Sequence, residues 1–132
     1  MGTHTRHVRE VLQGMGIVSD LYVVEARGVK RGEVRYFRDY AGATSGEPTW
    51  LLYQLSTGSP MAGWLASRPE PKLVDYHNIT PPEYFIGVHK DLVKLCYRGR
   101  RELTAYIPRC ELALGDSEYN RQELEALGFR ST

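Results

Sequence analysis

Cysteine is scarce: Cys96 and Cys110 are the two in 132 residues, too few and too unpatterned for a disulfide framework. They read as free thiols in a reducing compartment. Long apolar runs are missing too. Stretches such as Trp50-Leu51-Leu52-Tyr53 fall far short of the ~20 residues a membrane-spanning helix needs. The opening Met-Gly-Thr-His-Thr-Arg-His holds no apolar signal region, and Arg6 stands where N-myristoylation asks for Ser or Thr. A cytoplasmic chain is expected. Neither charge dominates: 17 Lys and Arg face 16 Asp and Glu, a formal net of +1, so no general attraction to nucleic acid or anionic membrane follows. There are no repeats and no low-complexity segments, and the length suits one domain with one core.

Several chemistries lack their motifs. Ser56-Thr57-Gly58-Ser59-Pro60 has neither the lysine nor the spacing of a P-loop. Ser59 lies in Thr-Gly-Ser-Pro-Met rather than Gly-x-Ser-x-Gly, which excludes the hydrolase elbow. His4 and His7 share a helical face but have no third ligand nearby in sequence, so neither a metal site nor a cofactor is expected. Arg98, Arg100 and Arg101 form a basic cluster without a known nucleic-acid module, and nucleic acid is not an expected partner. They read as a solvated helix face, with acidic lipid at the inner face of a membrane, or an acidic acceptor, as the alternative partner.

What is present alternates between helix and strand. From Thr3 to Met15 the apolar residues Val8, Val11, Leu12 and Met15 mark one face of a helix that Gly14 and Gly16 stop. Ile17–Val24 is rich in β-branched and aromatic residues and reads as a strand. Glu25–Pro48 reads as loops around one short element at Val34–Tyr40. Trp50–Leu55 is a strand buried on both faces, followed by a helix to about Ser67 with Ser59 as N-cap and Pro60 in its first turn. Lys72–Tyr76 is the next strand. Thr80-Pro81-Pro82-Glu83 then predicts a capped helix reaching as far as Tyr106, with Gly87 and Gly99 as weak points and Pro108 as its end. Leu112–Leu114 is a short strand, and Asp116-Ser117 caps a last helix that Gly128 closes. Strand, polar loop and capped helix occur three times. Such units imply a Rossmann-like α/β fold, a parallel sheet with helices on both faces, which binds ligands beyond the carboxyl ends of its strands. The segments singled out are therefore Gln54–Ser59, Asp75–Thr80 and Asp116–Asn120.

Three stretches resemble family 4 glycosyltransferases of the GT-B fold. They are Leu52-Tyr53-Gln54-Leu55-Ser56-Thr57-Gly58-Ser59-Pro60, then Asp75-Tyr76-His77-Asn78-Ile79-Thr80-Pro81-Pro82-Glu83-Tyr84-Phe85, and last Ala113-Leu114-Gly115-Asp116-Ser117-Glu118-Tyr119-Asn120-Arg121-Gln122-Glu123-Leu124. The middle one is the most specific. The resemblance is to the N-terminal, acceptor-side domain. It implies transfer of a sugar from a nucleotide-sugar donor to a glycan or lipid-linked acceptor, with no metal. It also implies a central strand and glycine-rich loop ahead of residue 1, and a donor-binding domain beyond residue 132. Without them the chain is expected to be inactive alone and to self-associate through open sheet edges. The family's donor site carries two glutamates separated by seven residues. Glu25 and Glu33 match that spacing without the surrounding glycine-rich loop and helix, and no donor site is expected here.

His77 leads the candidate residues. The resemblance places it beside the donor sugar, where an imidazole can bind a hydroxyl or stabilise developing charge; the plainer role is a hydrogen bond to its own loop. Asp75 is expected to orient His77 or act as a base, or to serve only as a turn acceptor. Ser56, Thr57, Gly58, Ser59, Asn78, Thr80, Ser117 and Glu118 are the expected substrate-binding set. Thr80 and Ser117 have helix capping as their plainer role. Two readings from other classes stand beside the enzyme: a non-catalytic carbohydrate- or nucleotide-binding module, and an interaction subunit that completes its sheet with a partner's strand.

Overall fold

The computed structural model describes residues 3–26, 28–30, 32–43 and 46–131. The myristoylation test at Met1-Gly2 lies outside them. The chain divides into two compact units, Met1–Gly42 and Ala43–Thr132.

In the first unit α1 spans Thr3–Gly14. Gly16 ends it in the left-handed region at φ 79°. There the Gly16 and Ile17 amides donate to the Gln13 and Leu12 carbonyls, both at 3.0 Å, which is a Schellman closure. The expected apolar face buries no residue completely: Val8 and Leu12 are half-buried, while Val11 and Met15 are exposed. The expected strand Ile17–Val24 shrinks to β1, Tyr22–Val23, paired in parallel with β2, Arg35–Tyr36. Ile17 and Val18 are exposed. β-propensity reflects fit to a paired, half-buried surface, and these residues have no strand beside them among the described residues. Arg6 Nε donates to Glu33 Oε1 at 2.7 Å and Arg9 Nη1 to the Glu33 carbonyl at 3.0 Å. Glu33 is thus an anchor for α1.

The second unit is a Rossmann-like α/β layer. β3 (Leu51–Leu55), β4 (Lys72–Tyr76) and β5 (Cys110–Gly115) form a parallel sheet in the order β3-β4-β5. Helix α2 (Met61–Ser67) crosses from β3 to β4, α3 (Lys90–Leu103) lies on the way to β5, and α4 (Glu118–Ala126) follows β5. As the middle strand, β4 is buried over most of its length, as a strand covered on both faces must be. Leu55, Val74, Tyr76, Ile79, Leu103, Tyr106 and Leu124 form the core. Fully burying an aliphatic side chain of this size contributes about 1.5–3 kcal/mol. Along the far edge of β5 the C-terminal segment adds a bridge, with the Ala113 amide donating to the Arg130 carbonyl at 2.8 Å. Both cysteines are free thiols. No described helix is long and apolar enough to cross a membrane.

One predicted helix is three elements. Thr80 is not an N-cap: the chain enters a 3₁₀ turn at Pro82–Phe85 with Pro81 extended at ψ 129° and no side chain capping it. A residue before proline is driven out of the helical region, so Pro82 forbids a helix that starts at Pro81. Gly87, at φ 81°, then breaks the chain again. α3 starts only after His89, whose Nδ1 accepts from the Leu92 amide at 3.3 Å. Pro108 sits inside a further 3₁₀ stretch, Thr104–Arg109.

The ends of β3 and β4 are held tightly. The Gly58 amide donates to the Leu95 carbonyl of α3 at 3.1 Å. A Cβ on Gly99 would lie 2.6 Å from the Gly58 nitrogen, and one on Gly58 would lie 2.8 Å from the Leu95 oxygen. Two backbones meet here with no room for a side chain between them. At the opposite end of β4, Lys72 is fully buried. Its ammonium donates to the Arg68 and Glu70 carbonyls at 2.7 and 2.9 Å, and burial pushes its pKa down.

Candidate functional site

The carboxyl ends of β3, β4 and β5 bring four polar side chains together. The His77 amide makes the last ladder bond, donating to the Leu55 carbonyl at 3.0 Å. Asn78 then turns the chain at φ 33°, a left-handed conformation that asparagine tolerates better than most residues. That turn sends Ile79 back into the core with no exposed surface. Its amide donates to the Tyr76 hydroxyl at 3.2 Å. His77 is therefore held out at the mouth of the sheet between the buried Tyr76 and Ile79.

Its ring bridges two carboxylates. Nε2 lies 3.2 Å from Asp75 Oδ2, and Nδ1 lies 3.5 Å from Asp116 Oδ2. Asp75 is buried, and its Oδ2 also accepts from Gln54 Nε2 at 3.2 Å. Asp116 is half-exposed, and its Oδ1 accepts from the buried Asn120 amide group. The carboxylates approach opposite ring nitrogens, so the ring bridges them. Asn120 Oδ1 is buried and has no protein partner among the described residues.

Beneath the loop runs a second polar network. The Tyr76 hydroxyl donates to Glu123 Oε2 at 2.6 Å. Arg100 reaches both Glu123 Oε1 and the Ile79 carbonyl. Burial, reinforced by the hydrogen bond to Glu123, pushes the Tyr76 phenol up to about 12. This clamp ties the His77 turn to α3 and α4.

The other expected site residues divide. Ser56 and Thr57 are exposed at the end of β3. Gly58 is buried against α3, and the Ser59 amide donates to Glu102 Oε2 at 3.2 Å. The Ser59 hydroxyl accepts from the Met61 amide at 3.2 Å, but the cap position of α2 is taken by Pro60, one residue later than the sequence predicts. Asn78 and Thr80 are exposed on the β4 loop. Ser117 caps α4 by accepting from the Asn120 amide at 3.2 Å. Glu118 runs along the helix to Arg121 and Gln122, and the Arg121 hydrogen bond first, then Gln122, holds its carboxyl down at about 2. Gln54, Asp116 and Asn120 lie within the singled-out segments but outside the chosen residues. The signal for Gln54 and Asp116 was position alone, at or just after a strand's carboxyl end. Protein-family models, curated proteins and solved structures give no match to this chain.

Proposed function

We propose that this chain supplies the acceptor side of a glycosyl-transfer site, with a nucleotide sugar as donor and a glycan or lipid-linked sugar as acceptor. The observation that supports it is His77 held between Asp75 and Asp116 at the carboxyl end of a parallel sheet. Asp75, buried and shared with Gln54, fixes the ring. Asp116 has the exposure to accept a hydrogen bond from a sugar hydroxyl. A ring N–H that turns away from Asp116, 3.5 Å distant, can donate to an anionic leaving oxygen as it develops charge. The neutral ring can accept from a hydroxyl.

The test is a nuclear magnetic resonance titration of the 132-residue chain with a panel of oligosaccharides and nucleotide sugars. A binding glycan should shift the His77 ring and Asn78 signals. His77→Ala should then weaken that glycan about 10-fold, the equivalent of one lost hydrogen bond. A panel that leaves His77 unmoved sinks the proposal.

A further inference from the structure

Helix α3 turns Cys96, Gly99 and Leu103 into the core. On its opposite side Lys90, Lys94, Tyr97 and Arg101 recur at helical spacing and form one exposed stripe. The stripe contains no acid; Asp91 lies a quarter-turn round the helix. The arginine cluster read from the sequence is reduced by the structure. Arg98 is paired with Glu102, and Arg100 with Glu123. Lys90, Lys94 and Arg101 make no ion pair among the described residues.

Apolar side chains extend the stripe at its N-terminal end. Val88 is 82% exposed, Ile86 68% and Tyr84 76%. Ile86 and Val88 lead directly into α3 through its cap His89. The turn at Pro81–Glu83 shares a shallow depression with Tyr97, Arg100 and Arg101, so turn and stripe belong to one surface. Glu83 is the acid at its border.

From this we infer that the outer face of α3 and the Tyr84–Val88 segment dock on an anionic lipid bilayer. Free basic groups along one helix face select a negative surface. Aliphatic tips with nothing of their own to pack on have a place in the acyl boundary, and tyrosines in the headgroup layer. A nucleic acid would use the same charges but gives exposed Ile86 and Val88 nothing to enter. The stripe is independent of the sugar-site reading: either can fail without the other.

Cosedimentation of the full chain with vesicles tests it. Neutral phosphatidylcholine vesicles are compared with vesicles containing phosphatidylglycerol, at low and high salt. The chain is expected on the anionic vesicles only, with binding falling as salt rises. Lys90→Gln/Lys94→Gln/Arg101→Gln and, separately, Ile86→Ser/Val88→Ser should each lower partitioning ~10-fold or more. All five positions are exposed, and circular dichroism checks that the fold survives. Equal binding to neutral vesicles, absent binding, or wild-type partitioning by either variant overturns the inference. So does capture of single-stranded RNA that the serine variant retains, or a dimer in sedimentation that either variant dissociates.

Discussion

His77 has few degrees of freedom left. Its backbone closes the β3–β4 ladder, its ring spans two carboxylates, and the next residue occupies a left-handed turn. In a protein that includes the donor domain, His77→Ala should cut sugar transfer by ~10²-fold or more while the melting temperature holds. Turnover close to wild type would leave His77 a loop-bonding role. Gly99 gives a purely structural contrast. Gly99→Ala drives a methyl group against the Gly58 nitrogen and the Thr57 carbonyl carbon, both backbone atoms that cannot rotate away. Overpacking of that kind costs about 1–3 kcal/mol or more, read as a lower denaturation midpoint. At this scale the sequence was partly legible. Asp75, His77 and Asn78 were visible because they end a strand in a distinctive motif. Asp116 was harder to pick out, because its link to His77 spans two β-strands and exists only once the sheet forms.

Elements were legible where one rule acted alone. β4 has the bounds the pattern predicts, Lys72–Tyr76, and Ser117 caps α4 as expected. They were misread where rules competed: the helix-start signal at Thr80 lost to the restriction that Pro82 places on Pro81. His89 was missed as a cap because histidine is not among the usual capping residues. The clamp that joins these elements gives a prediction in pH. The Tyr76 phenol sits at about 12 in the folded chain against about 10 when unfolded. Its contribution is fully present below pH 10 and is lost as pH rises through 12, because the unfolded chain releases the proton first. Denaturation curves from pH 8 to 12 should therefore show a shallower alkaline loss for Tyr76→Phe than for wild type. Near pH 7 the same variant should be less stable by about 1–3 kcal/mol, since Glu123 and the Ile79 amide lose a buried partner. Parallel alkaline limbs would show that the hydroxyl does not govern them.

At the scale of the molecule, the alternation of strands and helices announced a parallel α/β sheet, and that is the architecture of the second unit. The first unit was less legible. Its apolar residues at Ile17 and Val18 carry strand propensity but find no ladder among the described residues, and propensity without pairing does not make a strand. The main core cluster runs from Tyr53 to Phe129, all in the second unit, while the first unit has Phe37 as its buried hydrophobic among the described residues. Residues 43–132 expressed alone should thus keep a cooperative melt and dispersed amide signals; a molten, non-cooperative product would show that the core needs residues 1–42. Gly58 and Gly99 carry a consequence for descent. Because each occupies the space the other's Cβ would need, neither can drift alone, and a change at one gains nothing from a compensating change at the other. Chains that share this ancestry can replace their surfaces and loops, yet both glycines should persist together, a paired mark by which distant kin can be recognised.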